Sequence, residues 1–291
     1  MTSPYQLLKA WNLQARKELG QNFLKEPSLA ERIVEAAGIE DHEVVLEIGA
    51  GLGAMTIAAA KRAKHLIAVE KDRQLVPLLR AELLAHGLDR VQVLEHDILK
   101  LNLIQLAEEH GSAFTVLGNL PYNISSPVLV MLIEQRRVVR RAALMFQKEL
   151  ADRLCAKPGS RTYGRLSVLL QYCADLGVLR EVKADQFFPK PKVGSTVLGI
   201  RFKEKIDPVV SDERLLIRVV QAAFGQRRKT LRNALSGGLL PLGTQGATAV
   251  LEGTGIDPQR RAETLSVAEF VALTDTVARH LHATPSVQEA R

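Results

Sequence analysis

The sequence predicts an α/β fold, with a nucleotide-binding domain over residues 1–205 and a smaller all-helical domain over 206–291. Three observations lead there. An apolar run, Val44 to Ile48, is followed by Gly49-Ala50-Gly51-Leu52-Gly53 and a helical stretch from Ala54 to Ala63. Strand, glycine turn and helix in that order open a nucleotide-binding unit. Three successive strand ends then carry a polar residue, Glu70, Asp97 and Asn119, toward one rim. Beyond the linker Lys203-Glu204-Lys205-Ile206-Asp207-Pro208 the remaining pattern is helical.

Composition narrows the class. The 291 residues are 46% hydrophobic and carry a net charge of +7. Such a basic balance suits a polyanionic partner, nucleic acid first among them. Cys155 and Cys173 sit in no Cys/His cluster, so no zinc or other metal site is expected. Two lone cysteines without a secretory leader point to a reducing compartment, the cytoplasm. No run is apolar enough to span a membrane, and no membrane partner is expected.

Each element follows from the residues. Arg16 to Leu24 holds a glycine, two amides and an aromatic, a poor helix interior, and reads as an ordered segment laid over something. Taken alone, Gln21 and Asn22 read as turn chemistry. A helix starts at Pro27 and Ser28 and ends at Gly38. The strand Leu66 to Val69 closes on Glu70, about 20 residues past the glycines, where a carboxylate accepts ribose hydroxyls. Ala54 stands where the dinucleotide fingerprint needs glycine, so the spacing is Glu47-x-Gly49-x-Gly51-x-Gly53. Val91 to Leu94 forms a third strand, closing on Asp97, which either accepts from an adenine amino group or caps the turn at Ile98.

The stretch from Gly118 to Pro127 follows the strand Phe114 to Leu117 and organises the rest. Pro121 holds Leu120 extended, which can turn its carbonyl out of the sheet. The Asn119 side-chain oxygen and that carbonyl suit the two N–H bonds of an exocyclic amine, with Tyr122 stacking on its ring. The alternative is a proline turn with Asn119 as a cap. Further on, Phe188 in Phe187-Phe188-Pro189 either closes over a flipped base opposite Tyr122 or anchors the loop. Ser160 to Arg165 reads as a flexible polar segment, and Arg136 to Arg141 as a solvated helix end or a phosphate contact.

Joined together, LGQNFL at 19–24, EIGAGLGAMT at 47–56, VEKD at 69–72, HDIL at 96–99 and GNLPYNISSPVL at 118–129 resemble one family. FQKELADRL at 146–154, PGSRTYGRLSVLLQY at 158–172, FFPKPKVGSTV at 187–197 and FGQRRKTLRNAL at 224–235 extend the match. These are the motifs of the KsgA-type ribosomal RNA small-subunit adenine N6,N6-dimethyltransferases. The resemblance implies a seven-stranded Rossmann-like sheet, S-adenosyl-L-methionine as cofactor and a small helical C-terminal domain. It implies cofactor contacts from Asn22, Leu24, Gly49, Gly51, Glu70, Asp97 and Asn119. The catalytic set it implies is Asn119, Leu120, Pro121 and Tyr122, with Phe188. The partner implied is small-subunit rRNA in a partly assembled small ribosomal subunit, met by a monomer in ribosome biogenesis. Rival readings are a large-subunit rRNA adenine methyltransferase of the antibiotic-resistance type, a DNA adenine methyltransferase and a non-catalytic assembly factor.

Overall fold

The structure, a computed structural model, describes residues 3–226 and 228–283. In chain order the elements are α1 (Pro4–Ala10), β1 (Phe23–Leu24), α2 (Pro27–Ala36), β2 (Val44–Ile48), α3 (Ala54–Ala60), β3 (His65–Glu70) and α4 (Leu75–Ala85). Then come β4 (Gln92–Glu95), α5 (Leu103–His110), β5 (Phe114–Asn119), α6 (Ser125–Glu134), β6 (Val139–Gln147) and α7 (Lys148–Leu154). The chain continues through α8 (Arg165–Cys173), β7 (Ala174–Val182), β8 (Phe187–Phe188) and β9 (Ser195–Phe202). It closes with α9 (Glu213–Phe224), α10 (Leu231–Leu235), α11 (Gly243–Gly253) and α12 (Val267–Ala283).

Seven strands form one sheet in the order β4-β3-β2-β5-β6-β9-β7. All neighbours are parallel except where β9 runs antiparallel to β6 and β7. The central strands are apolar on both faces, as a sheet covered by helices requires, and β2 is buried at every residue. From β2 the chain winds outward through β3 and β4, then returns to β5 on the other side. The carboxyl ends of β2 and β5 therefore flank the switch point, where open α/β sheets place their ligand crevice. Register puts Ile48 beside both Val69 and Gly118, so the residues just past these strands share one edge.

The chain divides into two compact units, Met1–Ala151 with Ala174–Phe202, and Asp152–Cys173 with Lys203–Arg291. Residues 152–173 thus group with the C-terminal helices, whereas the sequence reading draws a single boundary after 205. Tyr163 shows why. It is 1% exposed and meets the Phe224 ring edge-on at 6.2 Å. The segment Ser160 to Arg165, read as flexible, is instead anchored by that aromatic and by Ser160 Oγ accepting from the Tyr163 N–H. Strand β7 is an element the sequence reading does not contain. It is an edge strand with a break in register near Val178 and Arg180, and most of its residues face solvent.

Arg136 to Arg141 lie at the amino end of β6, the sheet edge away from the Asn119–Met145 pair. Arg141 there forms an ion pair with Glu43 at 2.5 Å and donates to the Gly38 carbonyl. Arg227, in the basic stretch 226–233, lies outside the described residues. Among the described residues no helix is long and apolar enough to cross a membrane, and no three His, Cys, Asp or Glu cluster as metal ligands would.

Candidate active site

A cleft opens over the carboxyl ends of β2, β3, β4 and β5, and its lining gathers nearly every residue the sequence nominated. Gly49, Gly51, Glu70, Asp97, Asn119, Leu120, Pro121 and Tyr122 line it from the sheet side, and Asn22 and Leu24 from the N-terminal segment.

The floor is made of backbone and carboxylates. Gly49 and Gly51 hold φ of 75° and 57°, which only glycine adopts cheaply. A side chain on Gly51 would stand 3.1 Å from the Phe23 ring, so the turn must stay bare. The Gly51 N–H donates to Glu70 Oε2 and the Asp72 N–H to Glu70 Oε1, both at 2.8 Å. Glu70 ends its strand with its carboxylate aimed at these amides. Burial pushes its carboxyl up, and the two N–H bonds work against that rise. Asp97 accepts from Lys71 Nζ at 2.9 Å and from the Leu99 N–H at 3.1 Å. It therefore caps the turn Ile98–Lys100 and also lines the cleft. The Lys71 contact holds its carboxyl below the ordinary value.

The roof is a strap, residues 16–24, crossing from α1 to α2. It lies on the Asn119 turn so closely that a side chain at Gly20 would stand 3.1 Å from the Pro121 ring. Asn119 Nδ2 donates to the Asn22 carbonyl at 2.8 Å, which leaves Asn119 Oδ1 as the acceptor of that amide. Asn22 also donates from Nδ2 to the Gly20 carbonyl, the turn chemistry read from its type. Strand β1 pairs antiparallel with β8, Phe23 opposite Phe188 and Leu24 opposite Phe187.

That pairing separates the two phenylalanines. Phe187 is buried and lines the cleft. Phe188 packs with Leu7, Leu8 and Phe23, and Tyr5 meets its ring edge-on at 5.7 Å. Side chains alternate along a strand, so one of the pair faces the cleft lining and the other the α1 cluster.

Three residues of this neighbourhood, Asp72, Gln21 and Glu47, carry no site role in the sequence reading. Asp72, 3% exposed, accepts from Gln21 Nε2 at 2.8 Å and from Arg16 at 3.4 Å. Gln21 in turn accepts the Arg16 N–H at 2.8 Å. Glu47 lies beneath the glycine turn, 2% exposed, and lines the cleft with Oε2 unpartnered. Burial pushes its carboxyl up to about 8, while the nearby Thr56 hydroxyl draws it down without reaching hydrogen-bond geometry. The signals were present in EIG and VEKD, but their partners lie far away in the chain.

These groups fit an adenosyl cofactor. The bare Gly49 position faces open space apart from the Asn119 carbonyl at 4.0 Å, and Glu70 retains acceptor capacity toward the cleft. The carboxylates Glu70 and Asp97 suit hydroxyl and amino donors, and an unpartnered buried Glu47 oxygen suits a further donor.

A seven-stranded sheet with one antiparallel strand, a glycine turn at its switch point and an acid at the next strand end define a Rossmann-like methyltransferase. The family model for ribosomal RNA adenine dimethylase matches residues 12–279, and the chain belongs to that family. It is 51% identical over 277 residues to a ribosomal RNA small subunit methyltransferase A from Desulforapulum autotrophicum, covering 95% of this chain and 97% of the relative. The same-named protein of Magnetococcus marinus is 44% identical, with 93% and 94% covered. The crystal structure of a dimethyladenosine transferase from Plasmodium falciparum superposes with a TM-score of 0.75 at 26% identity, covering 89% of this chain and 98% of that one.

Proposed function

We propose that this methyltransferase dimethylates N6 of two adjacent adenosines in a hairpin loop near the 3′ end of small-subunit rRNA, using S-adenosylmethionine. The observation that carries the reading is the fixed Asn119 amide. With Nδ2 engaged by the Asn22 carbonyl at 2.8 Å, Oδ1 is the atom left to accept an amine N–H.

An adenine amino group is a weak nucleophile because its lone pair is shared with the ring. Acceptance of its two N–H bonds by Asn119 Oδ1 and the Leu120 carbonyl favours a pyramidal nitrogen with that lone pair exposed. Tyr122 stacks on the ring and Pro121 keeps the turn rigid. Phe188 packs edge-on against Tyr5, and it is its neighbour Phe187 that lines the cleft. Glu70 holds the ribose hydroxyls, Asp97 the cofactor adenine, and Asn22, Leu24, Gly49 and Gly51 the remainder. When bound, S-adenosylmethionine supplies a methyl group already activated by its sulfonium. Position and electrostatics then do most of the work, and solvent takes the proton from the methylated nitrogen. Loop adenines are unpaired, so extruding one costs little.

The names of the relatives support small-subunit rRNA over the large-subunit and DNA readings. The basic stretch RRKTLRN at 227–233 supplies phosphate contacts, which position RNA without reading it. The substrate is a partly assembled subunit in the cytoplasm, met by a single copy of the chain. The test incubates purified protein and labelled S-adenosylmethionine with unmethylated small subunits, large subunits and DNA, followed by nucleoside mass spectrometry. N6,N6-dimethyladenosine confined to small-subunit RNA is expected, and its appearance in large-subunit RNA overturns the assignment.

A further inference from the structure

We propose that Asp72 is a positioning residue for Asn119, acting through the N-terminal strap. This rests on Asn119 accepting the target amine.

A primary amide has nearly the same shape either way round, so packing alone does not choose which end faces the target. The Asn22 carbonyl chooses. It accepts only, so it takes Nδ2 and turns Oδ1 toward the cleft. With the strap displaced, Asn119 is free to flip and present N–H donors to an amine that needs acceptors.

The strap is held next door, at Gln21. Its amide is oriented at both ends, with Oε1 accepting the Arg16 N–H at 2.8 Å and Nε2 donating to Asp72 Oδ2 at 2.8 Å. Asp72 receives the Arg16 guanidinium as well, at 3.4 Å, with its side chain 1% exposed. One buried carboxylate therefore gathers two side chains of the strap. The bland role for Asp72 is a turn residue before α4, because Oδ1 accepts the Gln74 N–H at 3.1 Å. That role uses one oxygen, and asparagine fills it equally well. The second oxygen faces Gln21, and only a carboxylate oxygen or its equivalent accepts there. The two roles are therefore separable by substitution.

Asp72→Asn keeps the turn but sets an amide nitrogen against Gln21 Nε2. Gln21→Glu sets two carboxylates against each other. In the double variant, D72N with Q21E, the bond re-forms with its direction reversed. The new amide donates, and the new carboxylate accepts from it and from the Arg16 N–H. Two readouts on the full chain test this: the rate of trypsin cleavage after Arg16 and Lys17 without cofactor, and the split of kcat from KM for small subunits. Each single variant is expected to speed strap cleavage and lower kcat by about tenfold or more, the worth of one charge-assisted hydrogen bond. KM for RNA is expected to move by less than about threefold, since no RNA contact is touched. The double variant should recover both readouts to within about threefold of the native protein. Gln21→Ala, which removes only the strap's own amide, should match the single variants in cleavage. Native cleavage and kcat in D72N, a fall in kcat without faster cleavage, or a double variant no better than the singles overturns the proposal. If the native protein methylates no RNA, the reading of the site fails on its own, and the cleavage comparison still decides the clasp.

Discussion

The floor of the cleft and the strap above it are fastened differently. Glu70 is tied to the Asp72 N–H two residues away and to the Gly51 N–H 19 residues away, within one strand–turn–helix–strand unit. The strap is tied by Gln21 to Asp72 across 51 residues and by Asn22 to Asn119 across 97. Parallel pairing of β2 with β3 and β5 fixes the floor whether or not the strap is down. The strap is held by a few polar bonds, a two-residue strand pair and the buried side chains of Phe23 and Leu24 at its end. Damage to the floor should therefore be felt in cofactor binding and stability, and damage to the strap in chemistry.

The largest expected effect is on the floor. Glu70→Ala leaves the Gly51 and Asp72 amides without their carboxylate and should weaken S-adenosylhomocysteine binding by about a hundredfold or more, while RNA binding stays near normal. Calorimetry and filter binding read the two, and normal methylation by this variant would remove Glu70 from the site. Next comes the seam between the regions. Gly51→Ala forces a side chain into left-handed backbone against Phe23 and should cost ~1–2 kcal/mol of stability, with further loss of cofactor affinity, read by denaturant unfolding. The last effect sharpens the contrast through pH. Glu47 has a folded-state value raised to about 8, so its contribution is fully present in acid and is lost as pH rises through that value. Unfolding free energy should fall by ~1–3 kcal/mol between about pH 5 and about pH 9 relative to Glu47→Gln, whose profile lacks this slope.

The floor was legible because its signals are local. A strand, a glycine turn and an acid one strand later are read within about 25 residues of sequence. Asn119, Leu120 and Tyr122 announced themselves by type and order, and the cleft gathers them. The strap was only half legible. Gln21 reads as a turn residue until Asp72 is placed beside it, and no spacing rule links positions so distant. Phe187 and Phe188 are chemically identical, and only the pairing of β8 with β1 decides which lines the cleft. Strand β7 escaped because an edge strand that faces solvent lacks the apolar run of a buried one. Tyr163 reads as a loop residue because its partner, Phe224, follows much later in the chain.

The reach of the Asn22–Asn119 bond also sets a timetable. Asn22 leaves the ribosome 97 residues ahead of its partner. At synthesis rates of ~5–20 residues per second, the strap waits roughly 5 to 20 seconds for Asn119 to be made. It waits longer for Phe187 and Phe188, whose strand completes the pair with β1. A nascent chain can thus lay down the five parallel strands of its sheet while its site stays unfinished, and the enzyme gains its working geometry only when most of its length has been translated.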